Sequence, residues 1–220
     1  LSALGAAEKQ GKSDVALSNR VRQQISELIH NRTLIGGHVI IEQRIAEQLG
    51  VSRTPLREAL QRLEGEGMVE KNSGRSYQVR KVDFQEYIQS FKVRLLLEPE
   101  AAALAATRIP ASELQALQDE IRALQQLPHE HTNRHWHSDD NLHRLIGNNC
   151  GNSVLFSSIE KLRVTTRLYE IEDVRQRVDK DLAQHLAITE AIASGEAALA
   201  RNAMRRHIRS LITHSVKQLS

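Results

Sequence analysis

Between Ile41 and Leu63 two helical apolar patterns are separated by a three-residue turn signal, and this arrangement constrains the fold more than any other feature of the chain. Ile41, Ile45 and Leu49 recur every four residues, Leu56, Leu60 and Leu63 follow at helical intervals, and Gly50-Val51-Ser52 lies between them. Gly50 is placed to stop the first helix, Ser52 to cap the second, and Gly65 and Gly67 to end it. Two helices joined by so tight a turn make a helix-turn-helix. A longer helix precedes them, because Val21, Ile25, Leu28 and Ile29 share one face from Ser18 onward, and Gly36-Gly37 breaks it. Beyond them, Met68–Lys71 and Ser76–Arg80 flank Asn72-Ser73-Gly74-Arg75, which predicts a two-stranded hairpin. Residues 18–81 therefore read as a winged helix-turn-helix with a small β-hairpin wing. Residues 1–17, rich in Ala, Gly, Ser and Lys without an apolar period, read as a flexible tail.

From Asp83 every segment reads as helix, near 83–106, 110–128, 134–147, 153–170, 178–194 and 197–218. Asp83 with Glu86 forms a capping-box-like start, Pro110 opens the second helix, Pro128 closes it, and Gly195 ends the fifth. Pro99 predicts a kink or break in the first. Six helices joined by short loops make an antiparallel bundle over residues 82–220, so the fold class is mainly α.

Charge follows this division. Residues 1–80 carry 12 basic and 9 acidic side chains, residues 81–220 carry 18 of each, and the whole net charge of +3 lies in the head. A basic head on a neutral body suits a nucleic-acid-binding module joined to a sensing one. Cys150 is the one cysteine, which excludes an internal disulfide and a multi-cysteine zinc site. No apolar run approaches the roughly 20 residues of a membrane span, and a cytoplasmic location is the expectation.

Arg53, Thr54 and Arg57 open the second helix of the motif, with Arg62 further along. Arginines at i and i+4 face away from Leu56 and Leu60. A recognition helix enters the major groove by this end, where Arg pairs with guanine O6 and N7 and free backbone N–H groups meet phosphate. Gly74-Arg75 at the hairpin tip would meet a phosphate or the minor groove. One short helix reads few base pairs, so a homodimer on a palindromic operator is expected.

The run Ile45-Ala46-Glu47-Gln48-Leu49-Gly50-Val51-Ser52-Arg53-Thr54-Pro55-Leu56-Arg57-Glu58-Ala59-Leu60, with Arg62-Leu63 and Glu66-Gly67, resembles the winged-helix domain of the GntR family of bacterial transcription regulators. The resemblance implies operator contacts by Arg53, Thr54 and Arg57 and entry of Gly74 into the minor groove. Gln43 stands where some relatives carry an operator-contacting arginine.

In the bundle, Asp139, Leu142, His143 and Ile146 share a helix face, His185 lies in the stripe Leu182, His185, Leu186, Thr189, Ile192, and His207 lies with Met204, Ile208 and Leu211. Three imidazoles and one carboxylate from three helices therefore point inward. Such a donor set suits Zn, Ni, Fe or Mn with positions open to a ligand oxygen. Spacing alone leaves a buried polar cluster equally open. The stretch His129–His137 is richer in histidine, but its polar start after Pro128 reads as a solvated connector, although His135 shares a register with Asp139 and His143. His214, seven residues after His207, is as compatible with lining the same cavity as with an exposed place or one behind the cluster.

Residues 83–218 are similar to the FCD ligand-binding domain of the FadR subfamily, through Val93-Arg94-Leu95-Leu96-Leu97-Glu98-Pro99, Asp139-x-x-Leu142-His143, Gln184-His185-x-x-Ile188 and Met204-Arg205-Arg206-His207-Ile208. The resemblance implies that Asp139, His143, His185 and His207 bind a divalent metal, that the metal holds a small carboxylate effector, and that Arg94 helps to bind it. The expected function is a ligand-responsive, non-enzymatic regulator, usually a repressor released by its effector. The alternatives are a metal-dependent hydrolase-like bundle on a DNA-binding head and an architectural DNA binder. The first needs a general base, and no His-Glu-x-x-His run is present while Glu190 is expected to turn away.

Overall fold

A computed structural model describes residues 2–72, 74, 76–127, 132–172 and 177–217. They form two compact units, Leu1–Val82 with Arg167–Glu172, and Asp83–Thr166 with Asp173–Ser220.

In the first unit, α1 (Ser2–His30), β1 (Val39–Ile40), α2 (Glu42–Leu49), α3 (Arg53–Glu66), β2 (Val69–Lys71) and β3 (Tyr77–Val79) follow in order. Val21, Ile25 and Ile29 of α1 and Leu56, Ala59, Leu60 and Leu63 of α3 are buried, and the two helices pack together. The turn between α2 and α3 is made by Gly50, whose φ of 64° lies in the left-handed region and lets its N–H bond the carbonyls of Ala46 and Glu47. Gly67 closes α3 in the same way, with φ 80°. Ser52 occupies the N-cap of α3, but its side chain makes no capping bond.

Two features differ from the sequence reading. Helix α1 begins at Ser2 rather than near Ser18, and so takes in the stretch read as a tail. The sheet has three antiparallel strands in the order β1-β3-β2 rather than two, with Ile40 opposite Tyr77 and Lys71 opposite Tyr77 on the other side. The hairpin turn is organised by Asn72, whose Oδ1 accepts from the N–H groups of Gly74 and Ser76. Arg75 lies outside the described residues.

The second unit holds α4 (Phe84–Ala105), α5 (Ala111–Gln125), α6 (Asn133–Asn149), most of α7 (Ser153–Glu172), α8 (Val178–Ala193) and α9 (Ala197–Lys217). Asp83 caps α4 by accepting from the N–H of Glu86 at 2.8 Å. The expected break at Pro99 is absent: α4 runs on to Ala105. The proline removes only the bond to the Leu95 carbonyl, and the buried run Ala101, Ala102, Ala103 and Ala105 keeps the following turns packed. Helices α4 and α9 make the most extensive contact and run antiparallel, since Tyr87 meets Ser215 at one end and Glu100 meets Arg201 at the other. Gly195, with φ 72°, turns the chain between α8 and α9. Pro128 lies outside the described residues. No helix among them is long and apolar enough to cross a membrane.

Candidate functional site

Asp139 and His143 sit one turn apart on α6, His185 on α8 and His207 on α9. One ligand atom from each falls within 4.8 Å of the others, and all three histidines are buried. Asp139 Oδ1 lies 3.5 Å from the Nε2 atoms of both His143 and His185. The ring centroids of His185 and His207 are 4.8 Å apart. The structure thus brings together the four residues that their helical registers placed inward.

The outward-facing atoms of these groups are held by specific partners. His143 Nδ1 lies 2.6 Å from Glu98 Oε2, His207 Nδ1 lies 3.1 Å from Gln184 Oε1, and Asp139 Oδ2 accepts from Arg163 Nη2 at 2.8 Å. Arg163 also bonds Asp140 at 2.7 Å. Such partners fix which ring nitrogen carries the proton and orient the other one. The inner atoms have no such satisfaction: His143 Nε2, His185 Nδ1 and Nε2, and His207 Nε2 are buried without a hydrogen-bond partner. Leaving buried ring nitrogens unmatched is costly, and a divalent cation accepting one lone pair from each of the three rings would remove most of that cost. The donor set therefore fits a metal ion.

Protonation favours the same use. Burial lowers the His185 imidazole to about 4, against the opposing pull of Asp139. Burial also holds His207 well below the usual histidine range, assisted by His185 and His143. Both rings are neutral at pH 7, the state in which an imidazole can ligate a metal. Burial pushes the Glu98 carboxyl up, but Arg94, His143 and Arg163 outweigh it and keep the group ionised far below the normal carboxylate range.

Arg94 stands one layer behind the four residues. Its Nε donates to Glu98 Oε1 at 2.5 Å and its Nη1 to Thr166 Oγ1 at 2.7 Å, and it is 3% exposed. Glu98 thus joins Arg94 to His143. The sequence reading assigned no role to Glu98, Arg163 or Gln184. Glu98, four residues after Arg94 on one helix, carried a local signal in that spacing. Arg163 and Gln184 carried none, because their partners lie on other helices.

His135 is buried on α6 and not among the four: its Nδ1 accepts from the N–H of Thr132, closing the helix start as a capping box. The connector reading therefore does not extend to His135, and residues 129–131 lie outside the described residues. Glu190 is exposed, as expected, and His214 is half-buried.

In the first unit, Arg53, Thr54 and Arg57 are exposed at the start of α3. Arg57 Nε meets Glu42 Oε2 at 2.8 Å and Arg53 Nη2 meets Gln43 Oε1 at 3.4 Å. An exposed pair of this kind is worth about 0–1 kcal/mol and gives way readily to a phosphate or base. Arg62 bonds Asn19 of α1, so it is tied to the body of the fold. Gly74 is exposed at the hairpin tip.

Comparison with known proteins joins the two halves. The FCD domain family matches residues 89–210, and the bacterial regulatory proteins of the gntR family match residues 17–79. The HTH-type transcriptional repressor RspR of Escherichia coli (strain K12) is 25% identical over 206 residues, which span 90% of each chain. The uncharacterized HTH-type transcriptional regulator YdhC of Bacillus subtilis (strain 168) is 28% identical over 109 residues, 50% of this chain and 49% of that protein, so the match spans about half of the relative. Among solved structures, E. coli McbR/YncC superposes with a TM-score of 0.76 at 23% identity, covering 93% of this chain and 99% of that one.

Proposed function

Since the chain belongs to the GntR family of bacterial regulatory proteins and carries an FCD domain, we propose that it is a homodimeric repressor released from a palindromic operator by a small carboxylate held at a metal in the helical unit. That it is a DNA-binding transcription regulator and not an enzyme follows from the family and its relatives. The hydrolase alternative has no support from them.

The resemblance to the FCD domain implies a metal site in the helical unit. Asp139, His143, His185 and His207 would hold the ion here, and the observation that carries this reading is the convergence of four buried donor atoms within 4.8 Å. Zinc suits the set best, with Ni, Mn or Fe also compatible. A divalent ion held there supplies a Lewis-acidic position that takes up an anionic oxygen. The charge balance points the same way, because three neutral imidazoles and one carboxylate offset one of the ion's two positive charges. Arg94 adds a buried positive charge nearby, although its Nε and Nη1 are already engaged.

At the DNA, Arg53 and Arg57 read bases at the helix start, Thr54 and Gln43 contact the site beside them, and Gly74 and Arg75 approach the minor groove at the wing. The experiment is a gel shift on a palindromic operator at fixed salt, with small carboxylates added to metal-loaded and chelated protein. The reading predicts release by one of the acids only when metal is present. Release that is indifferent to chelation would contradict it.

A further inference from the structure

Resting on the proposed metal site, we infer that Arg177 is a positioning residue for His207: through Gln184 it keeps the ring proton on Nδ1 and leaves the Nε2 lone pair for the metal. The three rings of the cluster are held in three different ways. His143 Nδ1 lies against the Glu98 carboxylate, which when ionised can only accept, so that ring has one place for its proton. His185 has no hydrogen-bond partner at either ring nitrogen. His207 Nδ1 instead meets a side-chain amide, lying 3.1 Å from Gln184 Oε1.

An amide is an ambiguous neighbour. A half-turn of the group exchanges its oxygen and nitrogen, so Gln184 can accept a proton from Nδ1 or donate one to it. The second arrangement would put the ring proton on Nε2 and remove the lone pair that a metal needs. Arg177 decides between the two. Its Nη2 lies 3.2 Å from the same Gln184 atom, and a guanidinium only donates. The atom that both groups face is therefore the oxygen, and His207 Nδ1 is the donor to it. Nε2, at the far side of the ring, is the buried nitrogen without a hydrogen-bond partner.

Arg177 is itself firmly placed. It is buried at the N-cap of α8, where its Nε donates to Asp181 Oδ1 at 2.8 Å and its Nη1 to the Ser210 carbonyl at 3.1 Å. Asp181 shares α8 with Gln184 and His185, and Ser210 lies on α9 one turn beyond His207. The guanidinium thus ties together the two helices that carry His185 and His207, and it holds the amide from a fixed point.

The test reads the ring proton and the metal separately, on the full chain, with helix content followed by circular dichroism. Long-range 15N–1H spectra of chelated protein report the His207 tautomer, and competition with a chelating dye reports Zn2+ affinity. The wild type should show His207 protonated on Nδ1. Arg177→Ala should shift His207 toward the Nε2–H form and weaken Zn2+ binding by about 10- to 100-fold, the usual effect of losing a partner behind a metal ligand. Adding Gln184→Glu should recover most of that loss, because a carboxylate accepts from Nδ1 whichever way it turns. Gln184→Leu leaves the bonds of Arg177 to Asp181 and Ser210 in place and should weaken Zn2+ binding as much, which carries the test if Arg177→Ala loses helix content. An unchanged tautomer and affinity in folded Arg177→Ala, or in Gln184→Leu an unchanged affinity, would overturn the relay. A loss that Gln184→Glu does not rescue would show that Arg177 acts by packing alone and overturn it too. A wild type that binds no Zn2+ would overturn the metal reading, and the spectra of the chelated protein would still decide the relay, which falls if His207 carries its proton on Nε2.

Discussion

Arginine is used in opposite ways in the two units. Arg53 and Arg57 stand in solvent at the start of α3, held only by surface contacts to Gln43 and Glu42. Arg94, Arg163 and Arg177 are buried and multiply bonded: Arg163 clamps Asp139 and Asp140, and Arg177 reaches Asp181, Gln184 and Ser210. A buried cation without its partners is far more costly than an exposed one, so burial commits a side chain to the fold and exposure releases it for a ligand. Arg53 and Arg57 are thus loosely held and available to a ligand, whereas Arg94, Arg163 and Arg177 hold Glu98, Asp139 and Gln184, the groups that meet the imidazoles of the cluster.

The sharpest way to break this contrast is Arg163→Ala. It removes the guanidinium that the half-buried carboxylates of Asp139 and Asp140 share, and a loss of up to about 3 kcal/mol in unfolding free energy is expected, the lower end of the cost of breaking a buried pair. Denaturant unfolding monitored by circular dichroism measures it. A loss below that of an ordinary surface substitution would show that the clamp is not structural.

Packing in the bundle should also respond where the head would not. Gly147 on α6 is buried against Phe156, and a Cβ there would overlap the ring. Gly147→Ala should cost about 1–3 kcal/mol by overpacking, seen as a lower Tm. Phe156 lies near the exposed start of α7, so Phe156→Ala in the same chain should recover part of the loss if the overlap is the cause.

The head is sensitive in binding rather than in stability. Arg57→Ala should weaken operator binding by about 1–3 kcal/mol and flatten discrimination between sequences. Its Tm should stay close to that of the wild type, because exposed substitutions change stability by within about 0.5 kcal/mol. A gel shift beside a thermal melt separates the two effects. Smallest of all, Glu42→Gln removes the carboxylate that holds Arg57. Stability should again move by less than about 0.5 kcal/mol, and operator affinity should rise slightly as a competing charge is lost.

What could be read from the sequence follows the range of the interactions. The apolar spacings of α2, α3 and the six bundle helices are local, and the structure has each of them. The inward register of Asp139, His143, His185 and His207 is local to each helix too, so their meeting was legible once a bundle was assumed. Strand β1 was not, because two residues carry no alternation and Val39–Ile40 becomes a strand only by pairing with β3. The start of α1 was missed because residues 1–17 show no apolar face. At Pro99, where a kink or break was expected, the break does not occur, because packing along α4 carries the helix past it. Arg163 and Gln184 act across helices, 24 residues from Asp139 and 23 from His207. Only the folded arrangement shows what they hold.

The central claim is that Asp139, His143, His185 and His207 form one metal site. Elemental analysis of protein purified without a histidine tag, paired with a thermal melt before and after chelation, tests it most directly. Metal that binds the folded site and finds no preformed one in the unfolded chain should raise Tm. The account predicts one equivalent of divalent metal per chain in the wild type and a lower Tm after chelation. In His185→Ala/His207→Ala it predicts no stoichiometric metal and no response to chelator. A wild type that neither retains nor rebinds metal, with a melt indifferent to chelation, would contradict it.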